Sequence, residues 1–254
     1  MINKDSPIPL YIQLKERLKE YIEETLNPGD MIPTEPEIEK MYQVSRVTVR
    51  KAIDELVAEG LVKKQQGRGT FVQEKIIQEM GSITSWTEEM KQRGHKTETK
   101  GLEIAEIVPS KKMVARLGLD KDENLICIKR IRCTDGEPIA LMINYLRAKF
   151  VPGFLERGLQ SESLYAELEN TYGITLERAN ELIGAREASE LEALTLNIPP
   201  YSPVLHIARN SYLADGTPLE IVEMVARADR YQYRISLDGR AKTKVINFGD
   251  KGVF

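Results

Sequence analysis

Arg46 and Arg50 stand four residues apart, so on a helix both guanidinium groups leave the same face. A guanidinium can donate two parallel hydrogen bonds to O6 and N7 of guanine, which makes this pair a candidate reader of a DNA groove. Ser45 and Thr48 fall at the start of that helix, where hydroxyls and free backbone N–H groups suit phosphate oxygens, and Lys51 adds another cation. Thirteen residues past Arg50 the basic run resumes as Lys63-Lys64-Gln65-Gln66-Gly67-Arg68-Gly69-Thr70. Lys63, Lys64 and Arg68 can carry charge to a phosphate backbone, and Gly67 and Gly69, having no side chains, let Thr70 and the rest of the tip approach a groove. A helical arginine pair by itself is compatible with a solvated face. The basic glycine-rich tip that follows it argues for DNA.

A second arginine pair has a different chemistry. Arg130 and Arg132 alternate along an expected strand, so both point to one face. Side by side they repel each other unless they are solvated, joined by an anion, or paired with sheet carboxylates such as Glu220 or Glu223. Ser85-Trp86-Thr87-Glu88 is a capping box whose N–H groups and hydroxyls could receive a phosphate. Trp86 in that box fits a core as well as a pocket wall.

These residues need elements to hold them. Leu10, Leu14, Leu18 and Ile22 recur every four positions and predict a first helix over 9–26, stopped by Asn27-Pro28-Gly29-Asp30. Thr34 to Glu37 is a capping box that opens a short second helix ending near Tyr42. Ser45 caps a third helix with Val49, Ile53 and Leu56 facing inward, and Gly60 ends it. Val62 and Phe71-Val72 supply two strands around the basic tip. Helix, turn, helix, then a basic hairpin predicts a winged helix-turn-helix over 1–73, with a linker over 74–81.

Beyond the linker the signals alternate. Ile126 to Leu141 and Leu205 to Ile221 both read strand, Asp-Gly, Pro, strand. Asp-Gly between apolar alternations is a hairpin signal because both turn residues tolerate positive φ. Helical segments near 111–118, 152–157, 162–171 and 187–194 separate the strands. The expected second domain, 82–240, is α+β with an antiparallel sheet built on two similar hairpins. A basic, glycine-bearing tail covers 241–254.

Bulk properties exclude several classes. The chain has 254 residues, 41% of them apolar and 30% charged, with a net charge of −3. No apolar run approaches the ~18 residues of a membrane span, and no secretion signal opens the chain, so a cytoplasmic protein is expected. The near-neutral sum conceals segregation: residues 46–51 and 61–70 hold six basic residues and no acid, whereas 16–39 hold eight acids. Cys127 and Cys133, on one expected strand, would lie ~20 Å apart, too far for a disulfide. Two histidines remote in sequence, His95 and His206, predict neither a zinc site nor a catalytic base.

Residues 7–72, with P-I-P-L-Y-I-Q-L, P-G-D-M-I-P-T-E, V-S-R-V-T-V-R-K-A and G-R-G-T-F-V, resemble the GntR family of bacterial transcription regulators. That resemblance implies a homodimer on a pseudo-palindromic, double-stranded operator, with the third helix in the major groove and the wing in the minor groove. Thr34 joins the expected contacts, whereas Pro36 stands where the family usually has Arg. Residues from about 80 to 240 resemble the UTRA effector domain of HutC-type members, whose fold is like that of chorismate lyase. The matching pieces are G-S-I-T-S-W-T-E-E-M, D-G-E-P, D-G-T-P-L-E, S-L-Y-A-E-L and A-D-R-Y.

In UTRA domains that bind amino-sugar phosphates, positions like Arg130, Arg132, Thr87, Ser163 and Tyr165 hold the phosphate. Positions like Trp86 and Glu220 contact the sugar, and Ser85 belongs to the same helix start. Met142 and Ala226 stand where such sensors carry Glu and Tyr. The resemblance thus implies a small anionic effector, a phosphorylated sugar, sugar acid or glycosylamine, with no cofactor. The expected function is a ligand-gated repressor. The alternative is a chorismate lyase-like enzyme fused to a DNA-binding domain, and the sequence offers no nucleophile–base pair to support it.

Overall fold

The computed structural model describes residues 2–237, so the tail over 241–254 lies outside the described residues. The chain divides into two compact units, Met1–Ile76 and Ile77–Phe254.

The first unit has three helices, α1 (Leu10–Thr25), α2 (Glu35–Tyr42) and α3 (Arg46–Ala58), then strands β1 (Val62–Gln65) and β2 (Gly69–Val72). Leu14, Leu18 and Ile22 of α1 meet Val49, Ile53 and Leu56 of α3 in one buried cluster. Burying each such side chain is worth ~1.5–3 kcal/mol, and Leu14, Leu18 and Ile22 of the stripe read from the sequence are three of the ten buried residues in that cluster. Gln43, left-handed at φ 52, ends α2 and turns the chain toward Ser45, which caps α3 by accepting from Thr48 N at 3.3 Å. β1 and β2 pair antiparallel from Val62↔Val72 to Gln65↔Gly69. The segment before α2 joins β2 as a third edge, through Ile32 N to Thr70 O at 2.9 Å and Val72 N to Asp30 O at 2.8 Å.

The second unit is built on a six-stranded antiparallel sheet. Its strands are β4 (Thr97–Ile107), β5 (Leu125–Thr134), β6 (Glu137–Arg147), β7 (Arg178–Glu187), β8 (Pro203–Tyr212) and β9 (Pro218–Arg227), in the order β4-β5-β6-β9-β8-β7. The two Asp-Gly hairpins, β5–β6 and β8–β9, lie side by side through β6 and β9. In the first turn Asp135 (φ 51) and Gly136 (φ 84) are both left-handed, as a tight hairpin between right-twisted strands requires.

Helices α4 (Trp86–Gln92), α6 (Phe154–Arg157) and α7 (Leu164–Tyr172), together with α5 (Lys111–Leu117) and α8 (Glu190–Leu196), complete the unit. Leu164 and Leu168 of α7 and Phe154 of α6 cover Ile126, Ile128 and Leu146 on one sheet face. On the other face α8 packs on Val204 and Val225, and α5 packs on Leu125 and Ile221.

Residues 76–80, expected within a linker, form strand β3 (Ile76–Met80), which pairs with β10 (Tyr231–Ile235). Ile76 and Gln78 are buried, and Tyr231 hydrogen-bonds Gln78 through its hydroxyl. The partner strand lies more than 150 residues away in sequence, so no local pattern announces this pairing.

Gly136→Ala should force a Cβ into the left-handed region and cost ~1–2 kcal/mol. A urea denaturation midpoint lowered with an unchanged slope is the expected result.

Candidate functional site

In the first unit α3 presents Arg46 and Arg50 together, and Glu35 from the first turn of α2 reaches between them. Its Oε2 lies 3.4 Å from Arg46 Nε and 3.1 Å from Arg50 Nε. The arginine side chains remain 64% and 58% exposed, so the clasp contributes at most ~1 kcal/mol and acts mainly to orient. Ser45 Oγ and Thr48 Oγ1 sit 2.9 Å apart at the helix start. Thr34 is tied into its own cap, its N and Oγ1 each donating to Glu37 Oε2 at 2.7 Å. A groove of about 1240 Å³, counting its open mouth, runs between α2, α3 and the wing, and Thr34, Arg50, Lys64, Arg68, Gly69 and Thr70 are among its walls. Gly69 adopts φ +129, and a Cβ there would meet Met31 Sδ at 2.8 Å. Lys63 lies in β1, directly across from Phe71. Lys51 departs from the expected reading face: its Nζ stands 3.7 Å over the Tyr11 ring of α1, one residue and ~100° around the helix from Arg50.

The second unit contains a pocket of about 530 Å³, counting its open mouth, over the sheet face that carries Arg130 and Arg132. Sheet register builds its floor in rows. Arg130 lies opposite Met142, which lies opposite Met224, which lies opposite Ile207. The next row runs from Ile128 through Asn144 and Val222 to Arg209 and Glu181. Ser85, Trp86 and Thr87 at the start of α4 and Leu164 and Tyr165 of α7 form further walls, and Gln78 and Tyr233 come from the β3–β10 ribbon.

Arg130 and Arg132 are 3% and 1% exposed. Arg130 Nη2 donates to Asn144 Oδ1 at 2.6 Å. Arg132 Nη1 donates to Thr99 Oγ1 at 2.5 Å, its Nη2 to Thr87 Oγ1, and its guanidinium stacks 4.5 Å from the Trp86 ring centroid. The carboxylate pairing weighed from the sequence is not what forms: Glu223 lies on the opposite face with Arg116 at 2.8 Å, and Glu220 reaches Arg130 only through Asn144. Burial lowers Arg130 to about 10, and burial together with the Arg130 charge lowers Arg132 to about 9. Both stay protonated at neutral pH. Arg130 Nε, Arg132 Nε and Trp86 Nε1 are buried without a hydrogen-bond partner among the described residues. Buried donors normally find one, so three orphans at a single pocket mark the place for an acceptor-rich group.

Not every expected effector contact lines the pocket. Ser163 caps α7, accepting from Ala166 N at 3.0 Å, and its Oγ lies 2.8 Å from both Ser85 Oγ and Glu88 Oε1. Glu220 is fully buried beneath the floor, accepting from Asn144 Nδ2 at 2.7 Å, Ser211 Oγ at 3.0 Å and Tyr165 OH at 3.1 Å. Three donors around one carboxyl group make it a support for the wall. Burial and the nearby Glu220 raise the Tyr165 pKa, so its hydroxyl stays a donor. Asn144, Glu181, Arg209 and Tyr233 went unread in the sequence. Arg209 and Glu181 face each other on β8 and β7, and only the strand register could have joined them.

Each of the two histidines has a carboxylate partner. His95 Nδ1 lies 3.0 Å from Asp135 Oδ2 at the hairpin turn, and His206 Nε2 lies 3.0 Å from Glu223 Oε2.

Comparison with known proteins agrees with this division. Residues 10–72 match the gntR family of bacterial regulatory proteins, and residues 92–232 match the UTRA domain. The HTH-type transcriptional repressor NagR of Bacillus subtilis (strain 168) is 36% identical over 234 residues, covering 91% of this chain and 96% of NagR. The mannosyl-D-glycerate transport/metabolism system repressor MngR of Escherichia coli (strain K12) is 29% identical, covering 89% of this chain and 95% of MngR. The crystal structure of PhnF from Mycobacterium smegmatis superposes with a TM-score of 0.63 at 28% identity, covering 89% of this chain and all of PhnF. The chain belongs to the GntR family of bacterial transcription regulators, in the HutC-type combination of a DNA-binding head with a UTRA ligand-binding domain.

Proposed function

We propose that this regulator is a cytoplasmic repressor that holds its operator as a homodimer and releases it when a small phosphorylated, sugar-type metabolite enters the UTRA pocket. One observation carries the ligand class: two protonated arginines buried side by side, with orphaned Nε donors and no facing carboxylate. A phosphoryl group brings negative charge and several acceptor oxygens to that point. The start of α4, with Ser85 and Thr87, adds hydroxyls beside it, while Ser163 and Glu220 hold the walls. Similarity to MngR, the repressor of a mannosyl-D-glycerate transport and metabolism system, supports the sugar-type assignment.

At the other end Arg46 and Arg50 read base edges. Ser45, Thr48, Lys63 and Arg68 engage phosphates, and Gly69 and Thr70 bring the wing close. Thr34 orders the groove edge, and Lys51 supports α1 through Tyr11. For ligand to release DNA, it must bind the DNA-incompetent state more tightly, and DNA must weaken ligand binding by the same factor.

We read the UTRA unit as a sensor and not as a lyase. His95 is tied to a hairpin turn, and His206 follows the strand alternation onto the face away from the pocket. No helix among the described residues is long and apolar enough to cross a membrane.

Arg50→Ala should weaken binding to DNA selected by the wild-type protein from a random pool by about 10- to 100-fold. Fluorescence anisotropy over a salt series measures this, and light scattering on the free and DNA-bound protein reads the dimer. Equal affinity in the variant would remove α3 from the interface. Arg132→Met removes one of two buried like charges, so the ligand-free protein should gain on the order of 1 kcal/mol while losing its thermal shift with sugar phosphates. A variant that is destabilised yet keeps that shift would contradict the anion site.

A further inference from the structure

We propose that Glu181, Arg209 and Tyr233 form a second subsite at the far end of the same pocket. It takes the uncharged, hydroxylated end of a ligand whose anionic end lies at Arg130 and Arg132. This rests on the anion-pocket reading above and names what the rest of the ligand must be.

The distance comes from the sheet. Arg130 lies on β5 and Arg209 on β8, three strand spacings away in the order β5-β6-β9-β8. At ~4.8 Å per spacing the two backbone positions stand ~14 Å apart, and a pocket of about 530 Å³, counting its open mouth, is larger than a bare phosphate fills. Between them the floor is Met142, Met224, Ile207 and Val222, an apolar stretch that suits C–H groups.

Charge returns at the far end. Arg209 Nη2 lies 3.1 Å from Glu181 Oε2, with side chains 13% and 9% exposed. Tyr233 OH donates to Glu181 Oε1 at 3.2 Å, and Arg209 Nη1 donates to Tyr165 OH at 3.3 Å. Burial opposes the Arg209 charge, but Tyr165 and Glu181 outweigh it and hold its pKa above the ordinary range. A buried ion pair is seldom the most stable filling for such a site, and an apolar pair of similar volume often serves the fold better. Its place on a pocket wall therefore points to recognition.

The pair also sets the ligand's charge. A second anion would face Glu181, and an ammonium would face Arg209. A hydroxyl donates to the carboxylate and accepts from the guanidinium at once, so a neutral polyol or sugar ring fits both. Met142 leaves the middle of this floor apolar, and the charged pair stands on β7 and β8.

The test is isothermal titration of the full chain with inorganic phosphate, glucose 6-phosphate, sorbitol 6-phosphate, glucosamine 6-phosphate and fructose 1,6-bisphosphate. The tighter of the two neutral-ended monophosphates should bind at least about tenfold better than inorganic phosphate, and better than the ammonium-bearing or doubly anionic probes. Glu181→Gln, and the milder Tyr233→Phe should the first fold poorly, should erase that preference while leaving inorganic phosphate binding unchanged. Retention of the preference in both variants, or tightest binding of the bisphosphate, overturns the subsite and leaves the anion site standing. If Arg132→Ala binds inorganic phosphate as well as wild type does, the anion site itself fails and the subsite falls with it.

Discussion

Two guanidinium groups buried next to each other on one strand are the constraint on which the sensing unit turns. Removing an ion from water costs several kcal/mol even after relaxation, and a like charge beside it adds to the cost. Among the described residues the fold meets this with neutral hydrogen-bond acceptors: Asn144 and the Met142 sulfur for Arg130, and Thr87 and Thr99 for Arg132, with Trp86 laid against the second guanidinium. Neutral acceptors satisfy N–H groups without cancelling charge. The site is therefore held together but electrostatically incomplete, which is the condition under which an anion binds strongly and specifically.

Glu220 explains why the floor does not collapse around those charges. It takes Asn144, Tyr165 and Ser211 as donors, so Asn144 must turn its Oδ1 toward Arg130 and Tyr165 must present its hydroxyl oxygen to Arg209. One unbroken chain of hydrogen bonds then runs from Arg130 through Asn144, Glu220, Tyr165 and Arg209 to Glu181 and Tyr233. The two ends of the pocket are thus oriented by a single carboxyl group that no ligand needs to touch. This accounts for a glutamate at an expected sugar-contact position that lies wholly beneath the surface.

The legible parts of this chain were those with local causes. The stripe of α1, the capping box at Thr34 and the Asp-Gly hairpins each depend on residues within a few positions, and each appears where the sequence implies. The box read at Ser85 does not close: Ser85 starts α4, but Ser163 Oγ bonds Ser85 Oγ and Glu88 Oε1 instead. What stayed hidden depends on register between distant strands. The β3–β10 ribbon, the rows that bring Arg209 opposite Glu181, and the separation of Glu223 from the arginine face all follow from which strands neighbour each other. Asn144 and Glu181 carry no motif, and they acquire meaning only once β6 and β7 are placed. Lys51 shows a finer limit: one residue from Arg50 is enough to swing a lysine onto Tyr11.

The two arginine pairs differ in the way their tasks require. Arg46 and Arg50 are exposed and share Glu35 in contacts longer than 3 Å, worth little in water, so phosphates and base edges can replace that carboxylate at small cost. Moving a two-state protein from almost wholly one state to almost wholly the other takes a differential binding energy of ~5.5 kcal/mol. An exposed ion pair cannot supply that, whereas neutralising two buried charges can. On the proposed function, the binding energy that a switch of this kind needs is held at Arg130 and Arg132, where the ligand-free fold bears its cost. The weakly held pair at Arg46 and Arg50 is then the one left free to engage or release DNA as that balance shifts.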